Sequence, residues 1–170
     1  MSGLRINISK LSEGVHRHSL STDPSDIGLD DRFKTTVQVE ASVEKTNRQL
    51  LVLCKTHCAG LFICDRCLDE FTRDVDTDFS IVYIPGQPSP EEEDEERVDV
   101  QYLSPDMNMI DFGEDVRQYI VLALPLKNLC RKDCAGLCPV CGLNRNKTTC
   151  SCRVDETDPR WADLKRLLNN

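Results

Sequence analysis

Hydrophobic and polar positions alternate along the first half of the chain. Phe33, Thr35, Val37, Val39, Ala41 and Val43 share one parity, with Lys34, Gln38 and Glu40 on the other. A period of two puts these sets on opposite faces of a strand, one face buried. Residues 49–54 (QLLVLC) and 61–64 (LFIC) predict two more short strands. Residues 74–84 predict a fourth, with Val75, Phe79, Ile81 and Tyr83 on one parity and a stop at Pro85-Gly86. A short strand over 98–103 follows. Strands at such close spacing predict an antiparallel meander or a small open barrel.

Further on the period changes to that of a helix. Val116, Ile120, Val121, Leu122 and Leu124 form one apolar face. Asp111, with Glu114 three residues on, has the form of a capping box, and Pro125 predicts a stop near Leu124. A second helix is predicted from Asp158, an N-cap followed by Pro159, with Trp161, Leu164, Leu167 and Leu168 as its stripe. Between sheet and helix, residues 86–97 hold a turn-rich stretch and six consecutive acids, EEEDEE at 91–96. Like charges of that density build no core, so this is read as an acidic loop. His16 and His18 fall in a polar N-terminal stretch and are expected at the surface. The fold class is α+β: a small antiparallel sheet or open barrel packed with one or two helices, plus a C-terminal zinc-knuckle module. The expected division is 1–126, an α+β domain, and 127–170, a cysteine-rich segment with its helix.

The 170 residues are 39% hydrophobic and 29% charged, enough for a packed core of modest size. No apolar run approaches the roughly 20 residues of a membrane-spanning helix, so no membrane association is expected. Residues 1–12 lack the apolar stretch of a secretory signal, and a cytoplasmic location is expected. That bears on the ten cysteines. In a reducing compartment disulfides are disfavoured, and clustered cysteines read as metal ligands.

The C-terminal run is Cys130-x3-Cys134-x3-Cys138-x2-Cys141-x8-Cys150-x-Cys152. Cys138-Pro-Val-Cys141-Gly142 has the form of a knuckle: two thiolates point at one ion, and glycine lets the chain turn. Cys150 and Cys152 supply a second pair, completing a tetrahedral four-thiolate shell of the structural zinc type. Cys134 is an alternative for one member of the Cys150/Cys152 pair. Cys64-Asp-Arg-Cys67 forms another C-x-x-C. Cys130 and Cys134 would complete a second site with it across the fold, or Cys54 and Cys58 would complete a local one; the cross-fold set is favoured. His57 is a further, weaker ligand candidate. One or two zinc ions are therefore expected. A thioredoxin-like role for Cys64 and Cys67 lacks the βαβ setting that it needs. Residues 130–152 have few apolar side chains, mainly Leu137, Val140 and Leu143, so metal is expected to hold this segment in shape.

Four stretches, CDRCLDEF (64–71), the 111–125 helix ending in LALP, LCRKDCAGLCPVCGLNRNKTTCSC (129–152) and DPRWADLKRLL (158–168), occur in an order that resembles the YceD-like family, the large ribosomal RNA subunit accumulation proteins. The resemblance covers most of the chain from about residue 35. It implies a role in the accumulation, processing or stability of large-subunit (23S) ribosomal RNA during ribosome assembly, with that RNA or a pre-ribosomal particle as partner and no small-molecule substrate. Some relatives lack the C-terminal cysteine cluster, which implies that metal there is not essential to the shared role. Cys54 and Cys58 are not part of the family's pattern.

Charge tests the RNA expectation. The chain has 21 basic and 29 acidic side chains, net −8. Over 127–153 six bases face one acid, net +5, leaving −13 for the rest. Lys127, Arg131, Lys132, Arg145 and Lys147 are the candidate phosphate contacts. The overall negative charge also suits a basic ribosomal protein as partner. No carboxylate cluster, histidine pair or open metal position points to catalysis, and a non-enzymatic factor is expected.

Overall fold

In the computed structural model, residues 3–87, 100–104 and 106–152 are described. In chain order the elements are β1 (Arg5–Asn7), β2 (Gly14–Thr22), a 3-10 helix (Pro24–Ile27), β3 (Val37–Lys45), β4 (Leu50–Ile63), β5 (Glu70–Pro85), β6 (Val100–Leu103), β7 (Met109–Asp111) and α1 (Gly113–Leu122). β2-β3-β4-β5-β6 form a five-stranded sheet, and β1-β7 a second, two-stranded one. The fold is thus mostly sheet with one helix. The chain clusters into two compact units. One is residues 1–62 with 72–126; the other is residues 63–71 with 127–170.

The inward face of the first unit follows the period of two. Val37, Val39, Ala41 and Val43 of β3 are buried, as are Leu50, Val52, Cys54, Thr56, Cys58 and Phe62 of β4. Val75, Phe79, Ile81 and Tyr83 of β5 complete the layer. α1 buries Val116 and Ile120. Its Tyr119 ring stacks on Phe79 with centroids 4.1 Å apart and planes at 3°. Gln101 of β6 donates to Asp115 of α1 at 2.7 Å.

Four sequence expectations change. Residues 49–54 and 61–64 belong to one 14-residue strand, β4. Its middle, CKTHCAG, keeps strict alternation, but the inward positions are Cys54, Thr56, Cys58 and Gly60, which do not read as an apolar stripe. The N-terminal stretch is strand β2, antiparallel to β3 from Gly14↔Lys45 to Thr22↔Val37. His16 and His18 sit half-buried on its inward side. β6 pairs parallel with β5, Val82↔Val100 to Pro85↔Leu103, so the sheet is mixed. A parallel neighbour needs a connection of about a dozen residues or more, and residues 86–99 are long enough to supply one. Finally, the capping box does not form. Asp111 lies one position early and accepts the Gly113 N–H at 3.0 Å. Glu114 turns outward to Arg117 Nε at 2.9 Å and to Gln118 at 3.1 Å. The acidic run 91–96 and the helix expected from Asp158 lie outside the described residues.

The hydroxyls of Thr56 and Thr77 meet at 2.7 Å, with Thr56 buried. Each satisfies the other, Thr77 being half-buried. Thr56→Val alone should cost about 1–2 kcal/mol in chemical denaturation, because it strands the Thr77 hydroxyl. The double variant with Thr77→Val should cost less than the sum of the two single changes.

Candidate metal centre

Both C-x-x-C turns have the same backbone construction. In the first, the Cys64 N–H donates to Asp69 O at 2.9 Å and the Leu68 N–H to Cys64 O at 2.9 Å. In the second, the Cys138 N–H donates to Leu143 O at 2.8 Å and the Gly142 N–H to Cys138 O at 2.9 Å. The residue after the second cysteine is left-handed in each: Leu68 at φ 61°, Gly142 at φ 73°. That reversal folds the chain back so that amide groups inside the loop face the first cysteine's sulfur. Glycine adopts this conformation freely, whereas leucine is strained in it. The first turn is therefore hidden from a search for C-x-x-C-G.

The second unit brings eight sulfurs into two groups: Cys64, Cys67, Cys130 and Cys134, and Cys138, Cys141, Cys150 and Cys152. Within each group all four lie within 4.8 Å of one another. In the first, Cys64 and Cys134 sulfurs are 3.8 Å apart, and those of Cys67 and Cys130 3.7 Å. Four thiolates at about 2.3 Å from a central zinc have edges of about 3.8 Å, so the spacing fits a tetrahedral shell. All ten cysteines are free. Cys64, Cys67 and Cys134 are buried together, with Phe71, Leu129 and Cys130 packed against them.

The cross-fold set is thus the one that assembles, and Cys134 belongs to it. Cys54 and Cys58 belong to neither group. They are core residues of β4, and burial, with Asp115 near the first and Asp76 near the second, pushes their thiols up to about 12 and about 11. His57 faces outward and bonds Asp76 at 2.7 Å.

The segments around the clusters are tied by named bonds. Asp65 N–H donates to Asn128 O at 2.8 Å, and Asp65 Oδ2 accepts the Asn128 N–H at 2.6 Å. The Leu137 N–H donates to Arg66 O at 2.9 Å, and Arg66 Nη1 to Cys134 O at 3.0 Å. Gly136 is at φ 71°, and a Cβ there would meet Arg66 O at 3.0 Å. Both its conformation and its space require glycine.

Electrostatics divide the sulfurs. For Cys138, the N–H groups of Cys141 and Val140 outweigh burial and bring the thiol down to about 6. For Cys64, burial opposes the charge, but N–H groups of Cys130, Cys67 and Arg66 prevail, again to about 6. Cys134 is lowered too, burial being outweighed by the Asn146 amide and the Gly136 N–H, whereas Cys67 and Cys130 are raised by burial and the sulfurs beside them. Cys152 is pushed up to about 12 by Cys141 beside it and by burial. Each knuckle thus prepares its first cysteine as the anion, and a cation would displace the protons of the raised thiols.

Of the basic residues, Lys147 is paired to Asp69 at 2.7 Å. Arg131 donates to Asn146 Oδ1 at 2.7 Å and lies 3.6 Å from Asp133. Lys127, Lys132 and Arg145 are exposed and make no ion pair among the described residues.

Residues 52–168 match the family model described as large ribosomal RNA subunit accumulation protein YceD. A chloroplastic protein of Arabidopsis thaliana, named large ribosomal RNA subunit accumulation protein YCED homolog 1, is 30% identical over 69 residues, 41% of this chain and 22% of its own length. Uncharacterized proteins of Mycobacterium tuberculosis and Mycobacterium bovis are 39% identical over 59 residues, 35% of this chain and 28% of theirs. The similarity therefore spans about a quarter of the length of these relatives. No solved structure gives a significant match.

Leu68 is 62% exposed, so its side chain contributes little burial to offset its left-handed backbone. Leu68→Gly should stabilise the chain by roughly 1 kcal/mol in denaturation, and Gly142→Ala should destabilise it by a similar amount. A Cβ at Gly142 meets nothing within 4 Å, so that loss would be purely conformational.

Proposed function

The chain belongs to the YceD family, and we propose that it serves the accumulation of large-subunit ribosomal RNA as a non-enzymatic factor built around two structural zinc sites. The observation that carries the metal reading is the sulfur geometry, four thiols within 4.8 Å of one another in each group, two pairs of the first at tetrahedral-edge spacing, fed by matching knuckles. Cys64, Cys67, Cys130 and Cys134 would hold one ion, and Cys138, Cys141, Cys150 and Cys152 the other. Bound zinc would supply structure rather than reactivity, since four protein sulfurs leave no position for water or substrate.

What this chain's own residues then do is present a surface. Lys127, Lys132 and Arg145 are the exposed bases without ion-pair partners among the described residues, and they are the proposed phosphate contacts. Arg131 and Lys147 act inward, bracing the loops around the first cluster. Charge keeps such contact modest. Over 127–152 five bases face one acid, net +4, and residues 63–71 add one base and three acids, −2. The described part of the unit is therefore +2. Two four-thiolate zinc sites, each formally −2, would turn it to −2. RNA would be held locally at a few phosphates rather than by a broad basic field.

The same arithmetic favours a second reading, in which the partner is a basic ribosomal protein. The whole chain's −8 points the same way.

Purified protein should contain two zinc ions per chain by elemental analysis, falling to one in Cys67→Ser or Cys141→Ser and staying at two in Cys58→Ala. A chain with no metal would end the structural reading. Lys132→Glu and Arg145→Glu should each weaken binding to large-subunit ribosomal RNA severalfold. Binding should also fall with rising salt, and each charge reversal should make the log–log salt dependence shallower by about one. Equal RNA binding by both variants, with a basic ribosomal protein retained, would transfer the role to the second reading.

A further inference from the structure

The loop 144–148 lies in sequence between the second knuckle and Cys150, yet its side chains bond to the first cluster. Asn146 Nδ2 donates to Cys134 Sγ at 3.3 Å and to Asn144 Oδ1 at 3.0 Å. Its Oδ1 accepts from the Ala135 N–H at 2.9 Å and from Arg131 Nη2 at 2.7 Å. Those two partners only donate, so the amide is fixed with its oxygen toward them and its nitrogen toward sulfur. All four interactions of one side chain are satisfied.

Asn144 adds a second tie, donating to Asp69 Oδ2 at 2.8 Å. The Arg145 N–H donates to Gly136 O at 2.9 Å, and Leu137 and Asn144 form an antiparallel bridge. With Lys147, paired to Asp69 at 2.7 Å, four residues of this loop therefore lean on the segment 134–137 and on Asp69, all belonging to or flanking the first cluster. Two residues after Thr148 the chain delivers Cys150, and then Cys152, to the second.

We infer that Asn146 is a positioning residue that couples the two sites, donating to a ligand sulfur of the first while holding the loop that supplies two ligands to the second. This rests on the reading of both clusters as metal sites. A cation in the first would hold the Cys134 sulfur in place, which keeps the N–H···S bond made and orders the loop before the second ion arrives. The coupling is reciprocal, as any such free energy must be.

Cobalt(II) reports four-thiolate binding through its visible bands, and competition with a chelator gives affinities on the full chain. Cys67→Ser should weaken the remaining ion by about tenfold against the wild-type second site. In an Asn146→Ala background the same change should have little further effect. An equal loss with and without Asn146, or no loss in either, overturns the coupling. Where Asn146→Ala loads neither site, Asn146→Asp in the Cys141→Ser background keeps the acceptor for Arg131 and Ala135 and loads the first site alone. Its sulfur-to-cobalt charge-transfer band should move to longer wavelength, and an unmoved band overturns the N–H···S assignment. A wild-type chain showing no four-thiolate spectrum removes the metal reading itself, whereas two ions bound independently remove only the coupling.

Discussion

Four sulfurs within 4.8 Å of one another are a concentration of incipient negative charge, and the second unit is arranged around making it tolerable. Backbone amides do part of this. Each C-x-x-C turn folds back through a left-handed residue, and the N–H groups thereby exposed point at the first cysteine of the pair. Two thiols at about 6 are the result, one in each knuckle. Amides stabilise an anion without contributing charge of their own, but they cannot carry four at once. Cys67 and Cys152 are pushed up to about 12, and a cation at the centre of each group would complete the arrangement.

The same residue type does opposite work in the two units. Cys54 and Cys58 occupy inward positions of a strand, where burial without donors or cations keeps them neutral, and they serve as small apolar side chains. Cys64 sits only six residues beyond Cys58. It lies past the end of β4, in the six residues 64–69 between β4 and β5, within the stretch 63–71 that clusters with the C-terminal segment. What separates a core thiol from a ligand thiol is therefore the backbone around it. A strand sends its amides to its neighbours, whereas a turn can send them to sulfur.

This arrangement bears on how an acidic protein would serve ribosomal RNA. Held by zinc, such a module would be rigid at small size, because metal would replace the apolar core that so short a segment lacks. Rigidity lets a few exposed bases be placed with precision, and it suits recognition by position rather than by bulk charge. Arg131 and Lys147 illustrate the division. Both look like phosphate contacts on composition alone, yet both are committed to the loops that hold Cys134 and Asp69.

Strands with aliphatic inward positions, the helix over the 116–120 face and the family were all legible in the amino-acid order, since periodicity and motif order are local properties. So were all eight clustered cysteines, because four lie in C-x-x-C turns and four in the close pairs 130/134 and 150/152. Which pair joins which stayed open, and β2 and the middle of β4 escaped notice. There the inward residues are His16, His18, Thr56 and the two core cysteines, whose burial depends on pairing with distant strands rather than on hydrophobicity. The folded chain was needed to bring Cys130 and Cys134 to Cys64 and Cys67, more than sixty residues away. It was needed also to put Leu68 in a glycine's place in the first knuckle, and to turn the Asn146 amide to a sulfur. A hydrogen bond between remote side chains leaves no period or spacing in the chain, and only folding brings its two ends together.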